Sequence, residues 1–310
     1  MSRSKIIVLG SINIDLVIRS PRLPIPGETV LGGEFYTAQG GKGANLAVAA
    51  ARAGRSPVVF IAAVGDDQFG TDARAQLARE NLVLDFVTSV PDQPTGAALI
   101  LVDHAGENLI SVASGANSRL LPEDVDAVPV KVFKEARVFA ACLESPLETV
   151  RHALRRAKHA GALTLLNPAP ANLEIAQPDW MELVDVLTPN ASEAELLTGL
   201  RPGDASTAEQ VARKLRDLGC RNVVITLGPR GCLVVDTQGN ATEIAGLSVP
   251  SIDATAAGDA FNGALAVALS EGSSLVQAAR WATRAAALST TRRGAQPSLA
   301  TREEIGEWGE

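Results

Sequence analysis

The most informative stretch of the chain, residues 253–269, reads DATAAGDAFNGALAVAL. Apolar residues between positions 261 and 269 recur at helical spacing, which predicts a helix that begins near Gly258. Backbone N–H groups in the first turn of a helix have no partner inside the helix, and the helix dipole places partial positive charge there. Because the side chains are small, we expect Ala256, Ala257 and Gly258 to form an open binding site for an anion.

Asp259 lies directly after this predicted anion site. A carboxylate there can accept the proton of an attacking hydroxyl, while the amides stabilise a phosphoryl group during its transfer. The helix dipole should favour the ionised carboxylate, which would make Asp259 a weak base in the ground state. The other interpretation is an ordinary acidic residue at the start of a core helix, which is common. The stretch therefore suggests phosphoryl transfer, with Asp259 as the candidate base.

The composition favours an enzyme-sized α/β protein. The chain has 310 residues, of which 46% are hydrophobic and only 4% are aromatic. These values predict a large aliphatic core of the kind that parallel sheets have. The net charge of -7 argues against nucleic acid as a partner. No apolar stretch approaches the length of a membrane helix, so we expect no membrane partner.

The cysteines and the first residues bear on the compartment. Cys142, Cys220 and Cys232 are widely spaced and lack the short spacing of a zinc or redox motif. We interpret them as reduced core thiols of a cytoplasmic protein. The apolar run at residues 6–9 is too short for a signal peptide, and Asp15 ends it, which agrees with that location.

Predicted strands and helices alternate through most of the chain, a pattern that is typical of an α/β fold with a parallel sheet. Two segments with strand patterns interrupt the alternation, and the second contains a hairpin signal at residues 103–108. We infer that these two segments form a small β-sheet lid on the core. The lid would comprise residues 15–38 and 95–113, and the core residues 1–14, 39–94 and 114–310.

Polar residues follow two of the predicted strands. Asn13 and Asp15 come after the strand at residues 5–10, and Glu144 follows the strand at 137–142. An open α/β sheet binds its ligands at the carboxyl ends of its strands. An amide and a carboxylate can each bind a hydroxyl, so Asn13 and Asp15 are candidates for binding a polyol. A polar face on an edge strand explains the pair equally well.

A glycine-rich loop, GGKGAN at residues 40–45, precedes a predicted helix of small residues at 46–53. It is not a Walker A loop, because Gly43 follows the lysine where serine or threonine is required, and it lacks the last glycine of a dinucleotide fingerprint. Glycines that open a helix still allow a ligand to approach closely, and Lys42 and Asn45 add a cation and an amide. A packing turn with a solvated lysine is the alternative.

Asn190 and Glu193 are one helical turn apart, directly after a predicted strand at residues 184–187. Asn190 could cap the helix that begins there. Alternatively, the two side chains face a metal ion and its waters at the carboxyl edge of the sheet, which would suit Mg²⁺. Both interpretations remain open from the residues alone.

Eight segments, in this order along nearly the whole chain, resemble the ribokinase/carbohydrate kinase family of PfkB type, which also includes fructokinases and adenosine kinases. The segments are 10–15, 40–45, 143–146, 167–170, 189–193, 226–231, 253–264 and 294–298. The glycine loop and residues 256–259 are family-wide signals, whereas Asn13 and Asp15 combined with that loop are similar to the ribokinase branch. The resemblance implies a three-layer α/β/α, Rossmann-like sheet with a small β-sheet lid.

The resemblance also implies roles for the matching residues. Asp259 would activate the primary hydroxyl of a sugar, with Ala256, Ala257 and Gly258 as the anion hole. The sugar contacts would be Asn13, Asp15, Gly41, Lys42, Gly43, Asn45, Glu144 and Asp259. The ATP site would be lined by Asn190, Thr226, Leu227, Gly228, Pro229, Arg230, Gly231, Gly258 and Thr283, with Glu193 near Mg²⁺ through water. A K⁺ ion would be surrounded, mostly through backbone oxygens, by Asp253, Thr255, Ser289, Arg292, Gly294 and Ser298.

The implied reaction is ATP-dependent phosphorylation of D-ribose at O5, which gives D-ribose 5-phosphate. Potassium would order the anion-hole loop, and similar proteins form homodimers by pairing their lids, which covers exposed strand edges. Thr283 stands where related kinases often carry histidine or asparagine near the adenine, which bears on nucleotide preference.

Two alternatives to this reaction stay open. One is a related kinase for another sugar or nucleoside, such as deoxyribose, fructose or pseudouridine. The other is a non-catalytic sugar-binding protein on the same fold. The pair Gly258 and Asp259 argues against the second alternative, because a sensor does not need a base.

Overall fold

A nine-stranded mixed sheet lies at the centre of the structure, a computed structural model that describes residues 5–308. In chain order the strands are β1 (Lys5–Leu9), β2 (Asn13–Arg19), β3 (Glu34–Gly40), β4 (Val58–Gly65), β5 (Leu82–Val90), β6 (Gly96–Val102), β7 (Asn108–Ala113), β8 (Ala136–Ala141), β9 (Leu163–Leu166), β10 (Val186–Leu187), β11 (Asn222–Thr226), β12 (Gly231–Val235) and β13 (Ala241–Ala245). The order in the large sheet is β13-β12-β11-β10-β9-β8-β1-β4-β5. The strands from β5 to β11 are parallel to their neighbours, and β12 and β13 extend the sheet with antiparallel pairs.

Helices cover both faces of this sheet. They are α1 (Lys42–Ala53), α2 (Gln68–Leu77), α3 (Pro122–Ala127), α4 (Val130–Glu135), α5 (Leu147–His159), α6 (Pro178–Met181), α7 (Ala191–Thr198), α8 (Ala205–Asp217), α9 (Ala257–Ser270), α10 (Leu275–Thr290) and α11 (Arg302–Glu307). Helices α1, α2, α9, α10 and α11 share one apolar cluster with the sheet, and α3 to α8 share the other. The predicted three-layer α/β/α arrangement is therefore confirmed. Within residues 5–308, no helix has the length and apolar character needed to cross a membrane.

The central strands are apolar on both faces, which explains their nearly uniform sequences. In β1, Ile6 and Val8 join the cluster under α1 and α9, whereas Ile7 and Leu9 join the opposite cluster. Successive side chains of a strand point to opposite faces, so a strand between two helical layers needs apolar residues at every position. The sequence patterns did not predict β13, because this strand lacks the continuous apolar residues of the central strands. Only Ile244 of its five residues is buried.

The second sheet has four strands in the order β3-β2-β6-β7. The antiparallel β6–β7 pair forms the hairpin that the sequence predicts at residues 103–108. Strand β2 pairs with β3 from Asn13 and Gly40 to Arg19 and Glu34, so this sheet starts two residues before the expected lid boundary. The first residues of the small sheet therefore lie next to the carboxyl edge of the large one.

Small residues allow α1 and α9 to pack closely against each other. A Cβ atom at Gly263 of α9 would lie 2.5 Å from the Cβ of Ala49 and 2.7 Å from the backbone nitrogen of Ala50, so only glycine fits there. Helix α1 begins at Lys42 and not at the predicted residue 46, which carries the glycine loop into its first turn. One turn before Ala49 and Gly263 lie Asn45 and Asp259, so the close packing places these two polar side chains together.

Candidate active site

The first turns of α1 and α9 meet through a direct hydrogen bond. Asn45 Nδ2 donates to Asp259 Oδ2 at 2.9 Å, although the two residues are 214 positions apart in the chain. Both side chains are buried. The Oδ1 atom of Asn45 is also buried and has no hydrogen-bond partner within residues 5–308. The candidate base is therefore fixed in orientation by an amide that keeps an acceptor available for a ligand.

Burial dominates the electrostatics of Asp259. The side chain is 5% exposed, and this desolvation raises its pKa to about 6, although the charge of Lys42 and the hydrogen bond from Asn45 both act to lower it. We expected Asp259 to be a weak base because the helix dipole favours the ionised form, and this is wrong because the loss of water shifts the pKa upward overall. At neutral pH the carboxylate is still mostly ionised, and it is a stronger base than an exposed aspartate.

Asp15 and Glu144 add two more carboxylates to the site. Burial, with further contributions from the charges of Glu144 and Asp259, raises the pKa of Asp15 to about 6. Glu144 accepts a hydrogen bond from the hydroxyl of Ser11, and one from the backbone N–H of Lys42 at 2.9 Å. Three predicted sugar-binding segments, far apart in the chain, therefore converge on one acidic group of residues.

Lys42 supplies the opposing charge. Burial lowers its pKa, but the carboxylates of Asp259 and Glu144 raise it by more, so the pKa lies above its ordinary value. The side chain is half-buried, which rules out the alternative of a freely solvated lysine. A cation that stays protonated beside these carboxylates can compensate their charge and attract a phosphate.

The glycines around Lys42 have a packing role, which the alternative interpretation of this loop had proposed. Gly41 has φ 90°, and a Cβ there would lie 2.7 Å from the backbone nitrogen of Asn13. A Cβ at Gly43 would lie 2.4 Å from the backbone nitrogen of Ser11. The two glycines thus allow α1 to pack directly on the segment that follows β1, and so align the polar residues of both.

Gly258 is different, because the fold leaves the space beside it free. A Cβ at this position would have no heavy atom within 4 Å, and its φ is not positive. Neither packing nor backbone conformation therefore requires glycine here. An open position at a helix N-terminus is what close approach of an anion to the backbone would need.

Three backbone N–H groups at the start of α9 have no partner within residues 5–308, and they are not the three that we expected. The N–H of Ala257 donates to the carbonyl of Ala254 at 3.2 Å, because the chain makes a turn before the helix. The free donors are those of Ala256, Gly258 and Asp259. Of the three residues predicted for the anion hole, Ala256 and Gly258 have a free N–H group and Ala257 does not.

Ala256 is the N-cap of α9 and has φ 61°, a left-handed conformation that is costly for any residue with a Cβ. We expect Ala256→Gly to increase the free energy of unfolding by about 0.5–1 kcal/mol, because glycine adopts this conformation readily. Ala257→Gly is the matched control, and it should decrease the free energy of unfolding by a similar amount, because Ala257 lies inside the helix. Urea denaturation measures both. A destabilised Ala256→Gly would show that no strain is stored there.

Asn190 caps α7, as one of the two interpretations of the sequence proposed. Its Oδ1 accepts from the N–H of Glu193 at 2.8 Å, and Glu193 Oε2 accepts from the N–H of Asn190 at 2.8 Å. Burial raises the pKa of Glu193, and the charges of Lys42 and Asp259 act on it in opposite directions. The capped carboxylate is therefore close enough to the centre of the site to interact with its charges.

Apart from Gly258 and Thr283, the predicted nucleotide-binding residues lie at the ends of neighbouring strands. Asn190 and Thr226 are joined by a parallel β-bridge. The N–H of Leu227 donates to the carbonyl of Gly231 at 2.8 Å, which closes a 3₁₀ turn over Gly228–Arg230. Gly228 and Gly231 have φ 60° and 94°, so the turn itself explains the choice of glycine at both positions.

Two of the predicted nucleotide contacts have polar groups that are already engaged. Arg230 donates to the carbonyls of Gly203 at 2.7 Å and Pro202 at 3.2 Å. Thr283 is buried, and its hydroxyl donates to the carbonyl of Ala279 at 2.8 Å. The hydroxyl proton of Thr283 is therefore used inside the helix, whereas the exposed guanidinium of Arg230 keeps further N–H groups.

Asp253 joins two of the other predicted cation-binding residues, Thr255 and Gly294. Its Oδ1 accepts from the N–H of Thr255 at 2.9 Å, and its Oδ2 accepts from the N–H of Gly294 at 2.8 Å. Ser289 and Ser298 are fully buried, and their hydroxyls donate to the carbonyls of Ala286 and Ala295 at 2.8 Å and 2.7 Å. The guanidinium of Arg292 is held by an ion pair with Glu304, and so could take part only through its carbonyl.

Several residues that shape this site carry no signal in the sequence. Asn117, in a 3₁₀ turn after β7, makes three hydrogen bonds to Ile12 and Asn13. Asn262 donates to the carbonyl of Gly258 at 2.8 Å and accepts from the hydroxyl of Thr188 at 2.6 Å. Isolated asparagines and threonines of this kind look like ordinary turn or helix residues until the fold brings their partners together.

Comparison with known proteins supports the same chemistry. Residues 3–302 match the model of the pfkB family of carbohydrate kinases. A ribokinase of Haemophilus influenzae is 42% identical over 99% of this chain and 98% of its own length, and a deoxyribokinase of Salmonella typhi is 35% identical over 98% of each. The structure of Arabidopsis thaliana ribokinase complexed with ribose and ATP has a TM-score of 0.88 and 29% identity, covering 99% of this chain and 98% of that one. This chain belongs to the pfkB family of carbohydrate kinases.

Proposed function

We propose that the protein is an ATP-dependent ribokinase, which transfers the terminal phosphoryl group of ATP to O5 of D-ribose. The observation that carries the proposal is the buried Asp259 carboxylate, which is hydrogen-bonded to Asn45 and lies directly after the free backbone amides of Ala256 and Gly258. Full-length similarity to a ribokinase of Haemophilus influenzae supports the choice of sugar.

In this mechanism Asp259 accepts the proton of the sugar hydroxyl as the bond to phosphorus forms. The pKa of about 6 suits this task, because the carboxylate is ionised at neutral pH and still basic enough to receive the proton. The N–H groups of Ala256 and Gly258 would stabilise the negative charge on the transferring group. Lys42, which the surrounding carboxylates keep protonated, would attract the phosphates into the site.

We further propose that the polar residues on β2 and after β8 hold the sugar. Asn13 and Asp15 are two positions apart on β2 and so share one face of the strand. Asp15 interacts with the charges of Glu144 and Asp259, which supports the view that this face borders the base. Carboxylates and amides accept and donate hydrogen bonds to the hydroxyls of a polyol.

We propose that Mg²⁺ enters with the nucleotide. The described residues hold no group of three or more histidine, cysteine, aspartate or glutamate side chains that could bind a metal ion. The Glu193 carboxylate is fixed by Asn190 and keeps further lone pairs, so it fits a magnesium ion bound through water. When bound, Mg²⁺ would neutralise charge on the phosphates.

We expect K⁺ to activate the enzyme. Asp253 ties the loop before α9 to the segment at Gly294, so a monovalent cation held there would order the amides of the anion site. ADP release should be about fivefold or more faster in KCl than in tetramethylammonium chloride at equal ionic strength. Equal rates in the two salts would contradict the cation site.

A matched pair of variants tests the location of this effect. Asp253→Ala should abolish the response to K⁺. Asp236→Ala removes an aspartate that makes the same kind of turn between β12 and β13, where it accepts from the N–H groups of Gln238 and Asn240. The control variant should therefore keep the full response.

We also propose a cytoplasmic homodimer formed through the lid. All three cysteines are free and buried, which fits a reducing compartment. The small sheet exposes a set of large apolar side chains that a second copy could cover. They include Phe35 at 62% exposed, Leu99 at 58%, Ile110 at 57% and Leu109 and Val112 at 51%.

A deoxyribose kinase is the second candidate function, favoured by the similarity to the Salmonella typhi deoxyribokinase. Release of ADP with D-ribose, 2-deoxy-D-ribose, D-fructose and pseudouridine separates the possibilities, and ³¹P–¹H correlation of the product identifies the phosphorylated oxygen. We expect the highest kcat/KM with D-ribose and phosphate on O5. Preference for another acceptor, or sugar binding without ADP release, would overturn the proposal.

A further inference from the structure

We infer that Asn117 is a positioning residue that fixes the amide of Asn13 so that Asn13 presents its Nδ2 as a hydrogen-bond donor toward the sugar. The inference rests on the proposed function, since it concerns one of the sugar-binding side chains. Asn117 is 2% exposed and lies in the 3₁₀ turn Gly115–Arg119, more than 100 residues from Asn13 along the chain.

The orientation of the Asn117 amide follows from its backbone partners. Its Oδ1 lies 2.9 Å from the nitrogen of Ile12, which can only donate. Its Nδ2 lies 3.0 Å from the carbonyl oxygen of Ile12, which can only accept. Because both partners are main-chain atoms, the oxygen and nitrogen of this amide cannot be exchanged without losing two buried hydrogen bonds.

The orientation of the Asn117 amide determines the orientation of the Asn13 amide. The second N–H of Asn117 Nδ2 points to a side-chain atom of Asn13 at 2.8 Å, which must therefore be its Oδ1. The Oδ1 of Asn13 accepts a hydrogen bond inside the protein, and its Nδ2 has no partner within residues 5–308. The Asn45 amide has the opposite arrangement, because its Nδ2 donates a hydrogen bond to Asp259 and its Oδ1 has no partner within residues 5–308. The site thus presents one amide as a donor and the other as an acceptor.

The chain also makes room for this pair of asparagines. A Cβ at Gly96 would lie 2.2 Å from Asn117 Nδ2 and 2.2 Å from Asn13 Oδ1, so any other residue would push the pair apart. Gly96 is the first residue of β6, and it is the register partner of Asn13 on β2. Its φ is not positive, so the conformation of the backbone does not require glycine there. The side-chain atoms of the two asparagines are therefore what excludes a side chain at position 96.

The direct test is a double-mutant cycle on Asn13 and Asn117. Asn117→Ala should raise the KM for D-ribose about tenfold, as expected for the loss of one oriented hydrogen bond, and leave the KM for ATP within about twofold. In the Asn13→Ala background, Asn117→Ala should have no further effect on the KM for D-ribose. Additive effects of the two substitutions, or an unchanged KM for D-ribose, would overturn the inference.

A second variant and a matched control separate positioning from a loss of stability. Gly96→Ala retains both asparagines, but its methyl group would push their side chains apart. It should therefore reproduce the rise in the KM for D-ribose. Asn222→Ala removes an asparagine that bonds Asp185 and Thr237 away from the site, at 2.7 Å and 3.1 Å. It should lower the melting temperature without changing the KM for D-ribose. A change in that KM for Asn222→Ala equal to the one for Asn117→Ala would contradict a positioning role.

Side-chain amide signals in the protein without ligand test the geometry independently of the substrate. In ¹⁵N-asparagine-labelled protein, the Asn117 NH₂ protons should exchange slowly, and Gly96→Ala should accelerate their exchange by about tenfold or more. If wild-type protein fails to phosphorylate D-ribose, the proposed function is wrong. Slow exchange of the Asn117 NH₂ protons would still support the orientation of the two asparagines. Fast exchange of the Asn117 amide in wild-type protein would overturn the inference itself.

Discussion

Replacing Asp259 with asparagine is expected to lower kcat by about 10²- to 10⁴-fold, the range that a positioned general base contributes. Asparagine has nearly the same shape and can still accept the hydrogen bond from Asn45 Nδ2, so the site should keep its geometry. What it cannot do is receive the proton of the sugar hydroxyl. The dissociation constant for D-ribose, measured by calorimetry, should therefore stay within about threefold of wild type.

The control for this substitution is another aspartate at the start of a helix. Asp204 caps α8 and is exposed on the surface, where its Oδ1 accepts from the N–H of Thr207 at 2.8 Å. Asp204→Asn should leave kcat within about twofold of wild type, because it changes the same chemical group outside the site. A kcat for Asp259→Asn above one tenth of wild type would mean that another group acts as the base.

The dependence of kcat/KM on pH is a second test of Asp259 as the base. Burial raises the pKa of Asp259 to about 6, so the carboxylate is ionised above that pH and becomes protonated as the pH falls through it. The kcat/KM of wild-type protein should therefore fall on the acid side of about pH 6. Asp15 has a pKa of about 6 as well and is close to Asp259, so the observed values will belong to the coupled group.

Gly258→Ala is expected to lower kcat/KM by about 10²-fold without destabilising the protein. The new methyl group would meet no heavy atom within 4 Å, and alanine in the first turn of α9 favours the helix. The same methyl group would occupy the space through which a phosphate approaches the free amides, and removing one such interaction typically costs this much. Steady-state kinetics and a thermal melt measure the two effects on one sample.

Gly306→Ala provides the matched control for Gly258→Ala. Gly306 lies in α11, and a Cβ there also has no heavy atom within 4 Å. This substitution should leave kcat/KM unchanged and the melting temperature equal or slightly higher. Normal kinetics in Gly258→Ala would show that no anion approaches the backbone at the start of α9.

Local patterns were sufficient to predict an alternating α/β fold and a helix that begins beside Asp259. The run at residues 253–269 predicted a helix at Gly258, and α9 begins at Ala257 with Asp259 in its first turn. Apolar runs such as residues 6–9 predicted buried strands, and the structure arranges them in one sheet between two layers of helices. These features follow from short-range spacing, which the sequence shows directly.

The electrostatics and the supporting residues could not be predicted in the same way. The direction of the Asp259 pKa depends on burial, which arises when α1 packs against α9 through Gly263. The hydrogen bond from the N–H of Ala257 to the carbonyl of Ala254 depends on a turn whose conformation cannot be predicted from the residue types. Asn117 acts on Asn13 across more than 100 residues of chain. Such effects belong to tertiary contacts, and a single sequence contains no local sign of them.

The central claim is that the Asp259 carboxylate meets the sugar hydroxyl beside the amides of α9. A crystal structure with D-ribose and a non-hydrolysable ATP analogue measures this most directly. We predict a distance of about 2.6–3.2 Å between an Asp259 carboxylate oxygen and ribose O5, the range for a general base. The terminal phosphate should lie against the N–H of Gly258. A complex in which Asp259 contacts neither the sugar nor the space leading to that phosphate would contradict the account.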